Sequence, residues 1–310
     1  MTERPPASAP DLRIVAPATS ANLGPGFDSL ALALNYWNTI EIRLCGTGCP
    51  RITAIHGEGR ESLEWDARNL VLVAMHRLAA EADRRLPPCE IGLKNTIPLG
   101  RGLGSSAAAI TGGLVAAATL LHLEDSPQAL LPVALGLEGH PDNVVAALHG
   151  GFTVGVLENG APRVLCVLPP EELRAVVLVP EMFAGTLESR LTLPASVSRL
   201  DAVFNGGRCA LLALALRERR WDLLAAAMED RLHQPQRAHA FTYLNEVMTA
   251  ARAAGAHGAA LSGSGSSVIA LCTGREEAVG LAMIEAAARH GLAARSLILS
   301  IASKGAHIEA

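Results

Sequence analysis

The chain has 310 residues, 50% of them hydrophobic and 18% charged, with a formal net charge of -4. That balance supplies a core large enough for two packed layers or two domains. With no basic run interleaved with aromatics, it also argues against a partner made of nucleic acid. No run of about 18 apolar residues marks a membrane span, so the expected partner is a small molecule.

Residues 1–10 are Pro/Ala-rich and lack both the basic start and the apolar centre of a signal peptide. They read as a disordered tail, and the compartment as the cytoplasm. Cys45, Cys49, Cys89, Cys166, Cys209 and Cys272 are scattered, a spacing that completes no zinc site and is expected of reduced core thiols. Lys94 and Lys304 are the only lysines, and they fall in a strand and in an exposed-looking tail. Schiff-base and Walker-type chemistry, which each need a particular lysine, are therefore not expected.

A first strand is expected over 12–16, followed by an irregular loop over 17–28, Pro-Ala-Thr-Ser-Ala-Asn-Leu-Gly-Pro-Gly-Phe-Asp, of the kind that builds sites. Residues 39–44 alternate polar and apolar and predict a half-buried strand. Helical spacing follows over 69–82, with Asn69 at its start, where capping explains an asparagine as well as nucleotide contact does.

Residues 98–109, Pro-Leu-Gly-Arg-Gly-Leu-Gly-Ser-Ser-Ala-Ala-Ala, read as a glycine loop opening a helix over 105–121. Gly100, Gly102 and Gly104 remove side chains that would hold the backbone off a bulky anion, while Ser105 and Ser106 are placed to cap the helix and offer hydroxyls. That is a phosphate cradle. It carries no P-loop lysine and no third glycine of the dinucleotide fingerprint. Gly112 and Gly113 would cost helix stability unless another backbone packs close.

A helical stretch over 130–137 leads to Glu138-Gly-His-Pro-Asp-Asn143, which concentrates polar groups in what also reads as an ordinary turn. From about residue 171 the pattern restarts. A strand is expected over 175–179, helices over 200–216 and 221–231, the segment His233-Gln-Pro-Gln-Arg237, and a helix over 241–254. A strand and glycine loop over 255–267, a strand over 268–272, a helix over 276–290 and a strand over 292–301 complete an αβ plait.

The stretch Pro-x-x-x-Gly-Leu-Gly-Ser-Ser-Ala resembles the ATP-binding motif of the GHMP kinases. Residues 17–28, 98–109 and 255–267 match that family in order, and the first is specifically similar to its homoserine kinase branch. The resemblance implies an α+β, two-domain fold: an N-terminal ATP-binding domain over 11–170 with a left-handed β-α-β unit, and a C-terminal ferredoxin-like plait over 171–310. It implies transfer of the γ-phosphoryl group of ATP, with Mg2+, to the side-chain hydroxyl of L-homoserine for threonine synthesis, and it admits a homodimer.

By the same resemblance, Asn69 and the loop Pro98, Leu99, Gly100, Arg101, Gly102, Leu103, Gly104, Ser105 and Ser106 meet the nucleotide, and Ser106 and Glu138 hold magnesium. Asp28 meets the substrate ammonium, and Arg190 and Arg237 its carboxylate. Asn22 and Asn143 hold the hydroxyl, with His140 and Thr186 lining the pocket. No general base is assigned, since the proton can pass to the phosphate or to Asp142. Ser266 stands where the family usually has proline, and Gly185-Thr186 where Ser-Thr is usual. A decarboxylase on this scaffold would need a diphosphate pocket, against which Asp28 argues. A non-catalytic nucleotide-binding module would not need the intact loop and Glu138.

Overall fold

Strand pairing sorts the chain into two sheets in this computed structural model, which describes residues 9–182 and 193–309. The first, seven-stranded sheet holds β1 (Leu12–Asn22), β2 (Gly26–Leu44), β3 (Arg51–Gly57), β4 (Cys89–Asn95), β5 (Phe152–Glu158), β6 (Ala161–Val167) and β11 (His307–Ile308). Its main order is β11-β1-β2-β4-β3, and β5 joins it by pairing with β2. β3 and β4 are parallel and are joined through α1 (Leu70–Glu81), a β-α-β unit. The second sheet holds β7 (Arg174–Pro180), β8 (Gly258–Leu261), β9 (Val268–Cys272) and β10 (Ala294–Ser300) in the antiparallel order β10-β7-β9-β8. That is the strand order of a ferredoxin-like plait.

The expected irregular loop over 17–28 is instead the tip of a hairpin. β1 continues to Asn22, three residues turn, and β2 resumes at Gly26, with Asn22 opposite Gly26. Alternation failed to reveal the strand because every residue from Ile14 to Asn22 is buried. Thr19 and Ser20, polar but fully enclosed, satisfy their hydroxyls within the protein.

Helix α2 (Ser105–Leu121) has the expected bounds and is buried along most of its length. Its glycines let neighbours approach: a Cβ on Gly113 would lie 2.6 Å from the Val71 carbonyl oxygen of α1, and one on Gly112 would lie 2.8 Å from Ile40 Cδ1. Helix α3 (Pro127–Glu138) ends at Gly139 in the left-handed region. The expected turn at Pro141-Asp-Asn143 proves to be the first turn of α4 (Pro141–His149), with proline at the helix start where its missing N–H costs nothing.

In the second half, α5 (Arg199–Arg217) matches expectation, but the helix expected over 221–231 does not form as one piece. A 3-10 turn, Trp221–Leu223, and the short α6 (Leu224–Ala227) are all that appear. The Asp230 carboxylate accepts the backbone N–H groups of Leu232, His233 and Gln234 at 2.7–2.9 Å, so the side chain takes donors into a turn. α7 (Gln234–Arg237), α8 (Leu244–Ala254) and α9 (Glu276–Arg289) follow.

Lys304 is exposed as expected, but the C-terminal stretch around it is tied to the first sheet. Its backbone packs on Gly150, and β11 pairs with β1, Ile308 opposite Ile14. A two-residue strand is too short for any periodicity to reveal. The core-thiol expectation holds for Cys89 and Cys272, while Cys49 and Cys166 are exposed.

One apolar cluster joins the sheets: Leu23, Leu32, Leu103 and Phe152 from the first half pack with Leu173, Val177, Leu212 and Ile269 from the second. Each such side chain contributes about 1.5–3 kcal/mol when fully buried, so the floor between the sheets is part of the core.

Candidate active site

Three loops from distant parts of the chain are welded together above that shared core. Thr19 N–H donates to the Leu103 carbonyl at 3.1 Å, Ser267 N–H to Arg101 O at 3.2 Å, and Gly263 N–H to Ala21 O at 3.1 Å. The buried Ser262 hydroxyl lies 2.7 Å from Gly102 O and 2.8 Å from Ser20 Oγ. Ser266 donates its hydroxyl to Met182 O and accepts from the Tyr243 hydroxyl, both at 2.6 Å, which pins the third loop.

Gly100, Gly102 and Gly104 all have positive φ, +60°, +70° and +68°, where a side chain is strained. Two of them are glycines for packing as well. A Cβ on Gly102 would fall 2.1 Å from Ser262 O, and one on Gly104 would fall 1.8 Å from Thr19 Oγ1. The loop delivers the N-terminus of α2, whose first helical bond runs from Ala108 N to Gly104 O. The amides of residues 105–107 precede it and form an anion seat together with the helix dipole.

The serines do not cap the helix. The N-cap is Gly104, without a side-chain bond, and Ser106 Oγ donates instead to Glu138, 2.8 Å from both carboxylate oxygens. The Arg101 side chain turns back onto the protein. Its guanidinium donates to Leu99 O, Pro180 O and Glu181 O at 2.8–3.0 Å, tying the loop to the end of β7.

Two cavities flank this N-terminus and share Gly100, Ser105 and Ser106. The first, about 210 Å³, has apolar walls that include Leu63, Leu93 and Leu99, with the amides of Asn38, Asn69 and Asn95 among them. Asn69 caps α1, accepting from Val71 N–H at 3.1 Å and donating to Glu64 O at 2.8 Å, so it serves the helix and lines the cavity at once. Asn38 Oδ1 accepts two backbone N–H groups, from Thr96 and Ile97.

The second cavity, about 100 Å³, brings together Asn22, Asp28, Pro98, Glu138, His140, Asp142, Asn143 and Arg237 beside the loop. Asp28, His140 and Asp142 place their ligand atoms within 4.8 Å of one another. Asn22 and Asp28 have positive φ, +69° and +56°, which asparagine and aspartate tolerate best after glycine. Asn22 Oδ1 accepts the Asp28 N–H at 3.1 Å, and its Nδ2 donates to Gly263 O at 3.1 Å. Asp142 Oδ1 lies 2.9 Å from His140 Nδ1 and accepts the Asn143 N–H at 2.7 Å. Arg237 is only 3% exposed. Thr186 and Arg190 lie outside the described residues.

Residues 69–151 match the model of the GHMP kinases N-terminal domain, and residues 212–290 that of the GHMP kinases C-terminal domain. The chain is 42% identical to a homoserine kinase of Desulfitobacterium hafniense, over 96% of this chain and 99% of the relative. It is 46% identical to one of Symbiobacterium thermophilum, over 96% and 94%. The chain belongs to the GHMP kinase family. A crystal structure of homoserine kinase from Cytophaga hutchinsonii superposes on this GHMP kinase with a TM-score of 0.89 at 30% identity, covering 99% of this chain and 100% of that one.

Three residues that hold the lining of the second cavity escaped the sequence. Thr19 lies inside the first motif, and its hydroxyl donates to Asn143 Oδ1 at 2.7 Å, which turns the Asn143 amide N–H groups away from Thr19. His233 and Asp230 hold Arg237 and α7 from behind. The His-x-x-x-Arg spacing was visible, but only burial shows that the histidine faces inward.

Proposed function

We propose that this GHMP kinase moves the γ-phosphoryl group of ATP to the side-chain hydroxyl of L-homoserine, giving O-phospho-L-homoserine for threonine synthesis in the cytoplasm. One observation carries the reading: a single cavity beside the α2 N-terminus holds carboxylates, Asp28 and Asp142, together with a buried guanidinium, Arg237. A free amino acid presents the matching pair of charges, and arginine suits the carboxylate because its fork is planar and bidentate.

In this reading the base occupies the first cavity, between apolar walls and asparagine amides. The triphosphate crosses the shared residues Gly100, Ser105 and Ser106 over the bare amides of α2. Asp28 takes the substrate ammonium, with His140 beside it, while Arg237 and Arg190 take the carboxylate and Thr186 completes the wall. Asn143, held by Thr19, donates to the attacking hydroxyl oxygen, and Asn22 fixes the backbone at Asp28. Asp142 Oδ1 is engaged by His140 and the Asn143 amide, so Asp142 shapes the site and the hydroxyl proton leaves to the phosphoryl oxygens. A loose phosphoryl-transfer transition state depends mainly on positioning and charge stabilisation and needs little from a base.

Ser106 and Glu138 fit magnesium. A hydroxyl and a carboxylate converge beside the phosphate seat, and both are hard oxygen donors of the kind that leave the ion several waters. When bound, the ion shields phosphate charge.

An ADP-release assay across L-homoserine, mevalonate and shikimate tests the proposal. Turnover with L-homoserine is expected, and its absence overturns the reading. Ser106→Ala and Glu138→Ala are each expected to remove most of the rate, whereas a nucleotide-binding module would keep its function without magnesium.

A further inference from the structure

The segment His233-Gln-Pro-Gln-Arg237 puts an imidazole and a guanidinium four residues apart on α7, and the fold buries both. His233 is 0% exposed and Arg237 3%. His233 Nε2 lies 2.8 Å from the Gly24 carbonyl oxygen. A carbonyl only accepts, so Nε2 carries a proton. His233 Nδ1 lies 3.1 Å from Arg237 Nη1, and a guanidinium only donates, so Nδ1 is bare. The two partners together define one neutral tautomer.

The surroundings hold that tautomer. Burial keeps the imidazole below its ordinary value; Asp230 acts against this, and the Arg237 charge reinforces it. A second proton, on Nδ1, would point at the guanidinium. Asp230 is also the group that turns the backbone into α7, and Asn205 Nδ2 donates to it at 2.7 Å. The same Arg237 Nη1 donates to Gly263 O at 3.0 Å, a carbonyl that Asn22 also uses. Phe27 lies alongside, its ring centroid 5.4 Å from that of His233 and 5.6 Å from Arg237 Cζ. Arg237 itself lines the cavity that holds Asp28.

We propose that His233 is a positioning residue for L-homoserine: it accepts a hydrogen bond from Arg237 and so fixes the guanidinium that receives the substrate carboxylate. The inference rests on the reading of Arg237 given above. Its specific content is that Nδ1 of His233 affects the substrate only through Arg237, as an acceptor, while the Nε2–H bond to Gly24 O holds the turn and the imidazole touches no substrate.

Steady-state kinetics of the full-length enzyme with ATP and L-homoserine test it. His233→Leu keeps bulk but offers no acceptor, and it is expected to raise the KM for homoserine by about tenfold or more, the scale of one hydrogen bond to a charged group. The kcat and the KM for ATP should stay within about threefold. His233→Asn places an amide oxygen near the lost Nδ1 and should recover most of the homoserine KM. On an Arg237→Ala background, His233→Leu should add nothing further.

The inference is overturned if His233→Leu leaves the homoserine KM unchanged, if His233→Asn fails to restore it, or if the two losses add in full. Equal changes in the KM for ATP would show a merely structural role and also overturn it. Should His233→Leu not fold, His233→Gln takes its place against His233→Asn, and equal homoserine KM values for those two overturn the proposal. If Arg237→Ala itself leaves the homoserine KM unchanged, the reading of Arg237 has failed instead.

Discussion

The Gly102→Ala variant is expected to lose stability in the apo protein, before any nucleotide is added. A Cβ on Gly102 would stand 2.1 Å from Ser262 O and 2.9 Å from both Gly265 N and Gly265 O. All three are backbone atoms, so no side chain can swing aside. Carbon and carbonyl oxygen need roughly 3.3 Å, and the two loops must therefore part by about 1 Å. That movement breaks the Ser262 hydroxyl bond to Gly102 O and strains the Ser267 amide bond to Arg101 O. Each buried group left unpaired costs about 1–3 kcal/mol, and a non-glycine residue at this positive φ costs about 1–2 kcal/mol more. The total, roughly 3–8 kcal/mol, is a large share of the 5–15 kcal/mol typical of a folded domain. Urea unfolding followed by circular dichroism reads the loss as a lower midpoint at unchanged slope. If Gly102 serves only to admit a phosphate, the apo midpoint will stay where it is and only ATP affinity will fall. That result would refute the packing account.

Thr19→Val removes the hydroxyl that holds Asn143 Oδ1 and is expected to lower kcat about tenfold, the worth of one hydrogen bond. Thr19→Ser should retain most of the rate, and equal rates for the two variants in the ADP-release assay would contradict the role given to Thr19. With a chromogenic thiol reagent, the exposed Cys49 and Cys166 should react in the native protein. Cys89 and Cys272, whose thiols burial pushes up to about 11 and about 12, should react only on unfolding; mass spectrometry of the labelled sites checks this. Burial also holds the imidazoles of His149, His233 and His257 below the ordinary 6.5. Above that value folded and unfolded chains are both neutral and nothing is lost. As pH falls below it the unfolded chain binds protons first, so stability drops. Melting temperature should therefore decline from pH 7 toward pH 5.5, and less so in His257→Gln; parallel declines would count against the assignment.

The glycine loop and α2 could be read from the chain to the residue, because glycine, serine and alanine leave local geometry few alternatives. The plait was readable for a similar reason: its strands are short, apolar and punctuated by glycine. What could not be read was set by contacts between distant residues. The hairpin tip was hidden because Ala18, Thr19, Ser20 and Ala21 are buried on both faces, and no two-residue period survives that. The break after Ala227 depends on the Asp230 carboxylate, which looks like any acidic residue until its backbone partners are seen. The glycines were recognised as sites of close approach, but what approaches Gly102 is another loop of the same chain. The Arg101 guanidinium turns to the carbonyls of Leu99 and of the distant Pro180 and Glu181, partners that no local pattern names, whereas the Ser106 hydroxyl and Glu138 come together as the sequence paired them.

The chain leaves the seven-stranded sheet after β6 and comes back to it as β11, so two crossings of the chain, as well as the shared core, tie the plait to that sheet. The return crossing is clipped at several points: Gly151 N–H to Ala302 O at 2.7 Å, Ala306 N–H to Ala147 O at 2.7 Å and Ala302 N–H to Ala33 O at 3.0 Å. Cutting the chain after β6 would therefore strip the seven-stranded sheet of its edge strand β11, so neither half of the sequence carries a whole sheet assembly by itself.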